Sequence, residues 1–138
     1  MGGLVINIVL DDARKLSAQV TKIFEGGTLS YTEYKILRSL RKKDAVMAKP
    51  LAKDVGQSVS GLTRFLEQLE TKGYLERHAH PSDRRSVLVV LTLKGAELIE
   101  RMMPEIEKRL YDMENRLTEE EAQGLAHYLE KLTIASET

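Results

Sequence analysis

Apolar side chains recur along most of this chain at steps of three and four residues, the spacing that gathers them on one face of a helix. Leu51, Ala52 and Val55 make one such stripe, and Leu62, Phe65, Leu66 and Leu69 make a second, with Gly56-Gln57-Ser58 between them. Pro50 suits the opening position of the first helix, where an N–H would be unpaired in any case. Gly56 admits the positive φ of a helix C-terminus, and Ser58 offers its hydroxyl to an amide one turn on. The pattern predicts a short helix, a glycine turn and a second helix whose outer face carries Ser60, Gly61, Thr63, Arg64, Glu67 and Gln68. A glycine inside a helix costs about 1 kcal/mol against alanine. A backbone that must come close to another molecule would account for Gly61.

The period then changes. Leu75 to His80 alternates apolar and polar residues, Pro81-Ser82-Asp83-Arg84-Arg85 reads as a turn, and Ser86 to Leu91 is rich in β-branched side chains. That sequence predicts a β-hairpin with two arginines at its tip. Upstream, residues about 4 to 25 predict a helix ended by Gly26-Gly27. Ser30 with Glu33 makes a capping box for the next helix, with Leu29 and Tyr34 as its hydrophobic staple. Downstream, the stripe Leu98, Met102, Ile106, Leu110, Met113 and Leu117 predicts one long helix from Lys94 to about Arg116, kinked by Pro104 at the carbonyl of Glu100. Thr118 and Glu121 cap a last helix whose apolar face is Leu125, Tyr128, Leu129 and Leu132. The fold class is therefore mainly α with a small β-hairpin, a helix-turn-helix and hairpin core flanked by helices at both ends.

A helix of about 23 residues spans roughly 35 Å, longer than a small core covers with its own side chains. A two-fold dimer of the outer helices would bury it, and so would an intrachain bundle; the sequence leaves both open. At 138 residues the chain is expected to be a single domain able to bury its own core. It contains no cysteine, which excludes disulfides, thiolate metal sites and thiol redox sensing. Leu4 to Leu10 is apolar but too short to span a bilayer, so a cytoplasmic location without a membrane partner is expected. The formal net charge is zero, yet residues 35 to 94 hold 13 Lys and Arg against 6 Asp and Glu, while residues 95 to 138 hold 5 against 11. Positive charge is thus concentrated on the helix-turn-helix and hairpin, as binding a polyanion from one side requires.

In order and spacing, Leu29-Ser30-Tyr31-Thr32-Glu33-Tyr34, Leu51 to Leu75, Pro81-Ser82-Asp83-Arg84-Arg85 and Leu91-Thr92-Leu93-Lys94-Gly95 resemble the winged-helix core of the MarR (multiple antibiotic resistance regulator) family. The resemblance covers most of the chain and implies a DNA-binding core at about 29–94, with dimerisation helices at about 1–27 and 95–138. It implies a homodimeric regulator, a repressor of transcription on an inverted repeat, with two reading helices about 34 Å apart. Ser58, Ser60, Gly61, Thr63 and Arg64 are then expected in the major groove, Arg64 making the bidentate contact to guanine. Lys49 and Lys53 are expected on phosphate, and Arg84 and Arg85 divided between DNA and the structure of the wing. Asp83 is expected to brace its loop through a salt bridge. The resemblance also implies release by a small aromatic or anionic effector in a cleft to which Tyr31, Met102, Met103 and Tyr111 could contribute, although core packing is the simpler reading of each, since methionines and tyrosines at helical spacing usually fill gaps. The chain departs from the family pattern at Lys49, Gln57 and Gly61, and a glycine at position 61 has no side chain with which to read a base.

Other chemistries find little support. His78 and His80 fall on one side of a strand near Asp83, too few ligands for a metal site, and none is expected. No phosphate loop, no nucleophile with a placed base and no carboxylate cluster at catalytic spacing is present, so neither an enzyme nor a cofactor is expected. The alternative that stays open is a winged helix used for protein contact without specific DNA binding.

Overall fold

The computed structural model describes residues 4–134. Its elements follow the order α1 (Val5–Ile23), α2 (Tyr31–Leu40), β1 (Val46–Met47), α3 (Ala48–Asp54), α4 (Val59–Thr71), β2 (Leu75–Ala79), β3 (Val87–Leu91), α5 (Leu93–Glu114) and α6 (Glu119–Ile134). One compact unit runs to Pro104 and a second begins at Glu105. No helix of the described residues is long and apolar enough to cross a membrane.

Helix boundaries follow local chemistry. At the start of α2 the capping box forms in full: Ser30 Oγ accepts from the Glu33 amide at 3.2 Å, and Glu33 Oε1 accepts from the Ser30 amide at 2.9 Å. Thr118 and Glu121 exchange the same pair of bonds, at 2.8 and 3.1 Å, before α6. The turn after α3 closes on Gly56 at φ +71, a conformation that an L side chain rarely adopts. In α3 the structure corrects one expectation, because Ala48 opens the helix and Pro50 is its third residue. The first turn still has no use for the proline's missing N–H.

The core of the first unit is built from Leu29, Tyr34, Ile36, Leu37 and Leu40 around α2, Leu51, Ala52 and Val55 from α3, and Leu62, Leu66 and Leu69 from α4. Leu75 and Val89 close it from the sheet, and Leu98 and Ile99 from α5. Full burial of each such aliphatic side chain is worth about 1.5 to 3 kcal/mol. Phe65 departs from the expected face of α4, being only half-buried on its flank.

The hairpin is part of a three-stranded antiparallel sheet in the order β1-β3-β2. β2 and β3 pair from Leu75 opposite Leu91 to Ala79 opposite Val87, leaving His80 and Ser86 just outside the strands. The third strand is an addition to the sequence expectation: Val46 and Met47 pair with Val89 and Leu88, which ties the entry to α3 directly to the wing.

Long-range polar contacts fix the helices of this unit. The Glu33 carboxylate, almost fully buried, also takes the Lys72 ammonium at 3.1 Å, joining the start of α2 to the end of α4. Lys35 Nζ donates to the Val55 carbonyl at the end of α3, and Arg41 pairs with Glu100 of α5. The tightest junction lies between the end of α4 and the start of α5. There Thr92 Oγ1 donates to the Gly73 carbonyl at 2.6 Å and Lys94 Nζ to the Lys72 carbonyl at 2.8 Å. Gly95 packs so closely that a Cβ would stand 2.0 Å from the Tyr74 carbonyl oxygen.

In α1 no side chain is buried; Val5, Ile6, Ile8, Leu10 and Leu16 are exposed, as is Leu4 at its N-cap. In the second unit, Leu125, Tyr128, Leu129, Leu132 and Ile134 of α6 are exposed likewise. α5 continues unbroken through Pro104, whose ring nitrogen cannot donate to the Glu100 carbonyl.

Candidate nucleic-acid interface

The outer face of α4 is presented by its own cap. Ser58 Oγ accepts from the Gly61 amide at 3.0 Å and lies 3.3 Å from Ser60 Oγ, so both hydroxyls gather over the first turn. Thr63 Oγ1 donates to the Val59 carbonyl at 3.0 Å, and the side chain is exposed. Arg64 is exposed beside them. Ser58→Ala is expected to cost about 1 kcal/mol through loss of the cap. Chemical denaturation checks this, and an unchanged midpoint would show that the cap bond contributes nothing.

Gly61 also has a reason inside the chain. A Cβ at this position would meet Ser58 Oγ at 3.0 Å and Gln57 Oε1 at 3.2 Å, so a larger residue presses on the capping turn. Gln57 is half-buried and forms one wall of that turn.

Asp83 organises the wing tip without the expected ion pair. Its Oδ1 accepts from the Arg85 amide at 3.0 Å and its Oδ2 from Ser86 Oγ at 3.1 Å, and among the described residues no ion pair involves it. A short carboxylate that takes the amide two residues on shapes a turn by itself, and the guanidinium groups are left outward. Arg84 and Arg85 are both exposed. The side chains of Lys49, Lys53, Arg64, Arg84 and Arg85 make no hydrogen bond or ion pair among the described residues. Five cations are therefore uncommitted on α3, α4 and the wing. A groove of about 300 Å³ runs between these elements, lined by Lys49, Thr63, Arg77 and Arg85 over an apolar floor that includes Val59 and Val87.

Sequence reasoning passed over the contacts that hold α4 against the wing. Glu70 Oε1 accepts from Arg77 Nη2 at 2.9 Å and from Nε at 3.2 Å, and its Oε2 accepts from the Arg77 main-chain amide at 3.0 Å. These bonds, the side-chain bond first and the main-chain bond second, hold the Glu70 carboxyl below the usual carboxylate range. A carboxyl depressed in the folded state contributes stability that is complete above its unfolded value and is lost as the pH falls through its folded value. The α4–wing tie should therefore persist through mildly acidic conditions and fail only below the ordinary carboxylate range. A carboxyl-detected NMR titration checks this: Glu70 should titrate below the exposed glutamates, and a midpoint among theirs would remove the assigned cause.

The wing histidines are engaged locally. His78 Nε2 lies 3.3 Å from Glu76 Oε1, and His80 Nδ1 accepts from the Ser82 amide at 3.1 Å. No group of three or more metal-ligating side chains gathers among the described residues. His127 stands beside Tyr128 on α6, with ring centroids 5.6 Å apart.

The residues named for an effector cleft have separate settings. Tyr31 packs on Phe24 with ring centroids 5.4 Å apart and lies under the Lys35 ammonium at 4.6 Å. Met102 and Met103 are half-buried on α5. Tyr111 is exposed and lines a groove of about 510 Å³ in the second unit with Glu114, Leu117, Glu119 and Ala122, and none of Tyr31, Met102 or Met103 lines that groove.

Known proteins resemble this chain in sequence and in fold. The MarR family profile matches residues 29–87. The multiple antibiotic resistance protein MarR of Salmonella typhimurium is 32% identical over 105 residues, which cover 75% of this chain and 73% of the relative. Among solved structures, a cysteine-to-serine mutant of MarR from E. coli complexed with operator DNA superposes with a TM-score of 0.77 at 27% identity, covering 91% of each chain. NadR in complex with 4-hydroxyphenylacetate superposes with a TM-score of 0.71 at 28% identity, covering 96% of this chain and 94% of that one.

Proposed function

Because this chain belongs to the MarR family of transcriptional regulators, we propose that it is a sequence-specific double-stranded DNA-binding protein, a repressor that grips an inverted repeat as a homodimer. The observation that carries this reading is the set of five uncommitted cations, Lys49, Lys53, Arg64, Arg84 and Arg85, distributed over α3, α4 and the wing. Cations without protein partners are available to phosphate, whereas a structural role would have paired them. In the reading, α4 enters the major groove through Ser58, Ser60, Gly61, Thr63 and Arg64, Lys49 and Lys53 meet the backbone, and the wing arginines reach the neighbouring groove.

Homodimerisation is part of the same proposal. It is supported by the apolar faces of α1 and α6, which are exposed within the single chain. Release by a small aromatic or anionic effector is supported by NadR, a relative solved with such a compound. Tyr31, Met102 and Met103 in the first unit and, separately, Tyr111 in the second are the residues proposed to respond to it.

Selection of bound genomic fragments tests the reading directly. The expected product is a pseudo-palindrome with half-sites about one helical turn apart. Fragments with no shared sequence would refute specific recognition, and single half-sites would refute the dimer. A protein-contact module in place of a DNA reader would give binding almost insensitive to salt.

A further inference from the structure

The exposed side of α4 changes sign along its length. Its first turns present Ser60, Thr63 and Arg64, while its second half presents Glu67 and, partly covered, Glu70. A reading helix lies between two phosphate strands, so two bare carboxylates there would oppose the approach of DNA, at the helix end whose dipole is already negative. The structure answers this with one cation from β2. Arg77 binds Glu70 through Nε and Nη2, and its Nη1 stands 4.0 Å from Glu67 Oε1. Glu70 Oε2 takes the Arg77 amide, so the guanidinium is fixed at its root as well as its tip. The Arg77 side chain is 29% exposed, against 60% for Glu67 and 37% for Glu70. It therefore lies over the carboxylates in solvent reach and is not sealed in the core.

We infer that Arg77 is a positioning residue for DNA binding: it neutralises the Glu67 and Glu70 carboxylates on the groove-facing half of α4 and locks that helix to the wing. The inference rests on the DNA-binding reading and deepens it. Two functions meet in one side chain. The charge of Arg77 masks acidic groups that would repel phosphate, and its two-sided grip on Glu70 keeps α4 and β2 in fixed relation, so that helix and wing engage one duplex together. Arg77 is consequently not available as a phosphate contact, although it lines the same groove as Lys49 and Arg85.

The test uses the full-length protein and a labelled operator duplex recovered by the genomic selection, with binding measured by anisotropy across salt concentrations. Arg77→Met is expected to weaken binding about tenfold, through two uncovered carboxylates. The doubly substituted Glu67→Gln, Glu70→Gln protein keeps an acceptor for the Arg77 amide and frees the guanidinium. It is expected to bind more tightly than wild type and with a steeper salt dependence. Combining all three substitutions should recover the electrostatic share of the loss, placing affinity between that of Arg77→Met and wild type, because the guanidinium grip on residue 70 stays broken. A merely structural role for Arg77 would give no such rescue, so a combined variant as weak as Arg77→Met overturns the inference. So does an Arg77→Met protein that binds like wild type, or a Glu67→Gln, Glu70→Gln protein no tighter than wild type, an arm that remains decisive even if Arg77→Met does not fold. Wild-type protein that binds no duplex overturns the DNA-binding reading itself, and this inference with it.

Discussion

Replacing Gly95 by alanine is expected to destabilise the protein by about 3 kcal/mol, at the upper end of overpacking effects. A Cβ there would lie 2.0 Å from the Tyr74 carbonyl oxygen and 2.8 Å from Leu91 Cδ1. The leucine end could swing away, but the carbonyl is main chain and is already committed, since it accepts from the Thr92 amide at 3.2 Å. Relief thus requires the end of α4 and the start of α5 to separate. That movement would strain the bonds from Thr92 Oγ1 to the Gly73 carbonyl and from Lys94 Nζ to the Lys72 carbonyl. Thermal unfolding should report a fall of about 10 °C for a chain of this size. A variant melting within a degree or two of wild type would mean that the junction yields freely and does not fix α4.

Arg64→Ala is expected to cost about 1 to 3 kcal/mol of DNA affinity and to relax preference at one base position, the signature of a lost base contact. The argument is geometric. Arg64 is exposed on the face prepared by the Ser58 cap and has no partner among the described residues to hold it elsewhere. Lys53→Ala offers the contrast: it should weaken all duplexes about equally and lower the salt slope by about one unit, as a phosphate contact does. Isotherms on the operator and on each single-base variant separate the two effects. If Arg64→Ala keeps the full base preference, the guanidinium does not read sequence.

The parts of the fold that were legible from sequence are those whose cause is local. Both capping boxes form as Ser30 with Glu33 and Thr118 with Glu121 foretell, because each needs only residues within one turn. Gly56 and Ser58 likewise mark the turn and the cap between α3 and α4. What escaped notice depends on partners distant in sequence. Val46 and Met47 form a strand only because β3 lies alongside them, and two residues carry no period of their own. Phe65 follows the same spacing as Leu62, yet the packing around α4 leaves it on the flank.

The candidate site divides along the same line. The outward cations of α3, α4 and the wing are readable from a helical period and a turn. Asp83 beside two arginines suggested an ion pair, but the amide of Arg85 and the hydroxyl of Ser86 are nearer partners and take both carboxylate oxygens. Glu70 and Arg77 carry opposite charges on either side of the Gly73 turn, which was the one signal of their pairing. The close approach at Gly61 also has an internal component, since Ser58 and Gln57 already crowd the space a Cβ would occupy.

The most direct test of the account is the salt dependence and stoichiometry of binding to the selected operator, read by anisotropy with sedimentation of the same complex. Two chains per operator are expected, with affinity falling steeply as salt rises because several uncommitted cations displace counterions from the duplex. One chain per operator, or an affinity that stays level across salt, would contradict the claim that α4 and its arginine-tipped wing hold DNA as a symmetric pair.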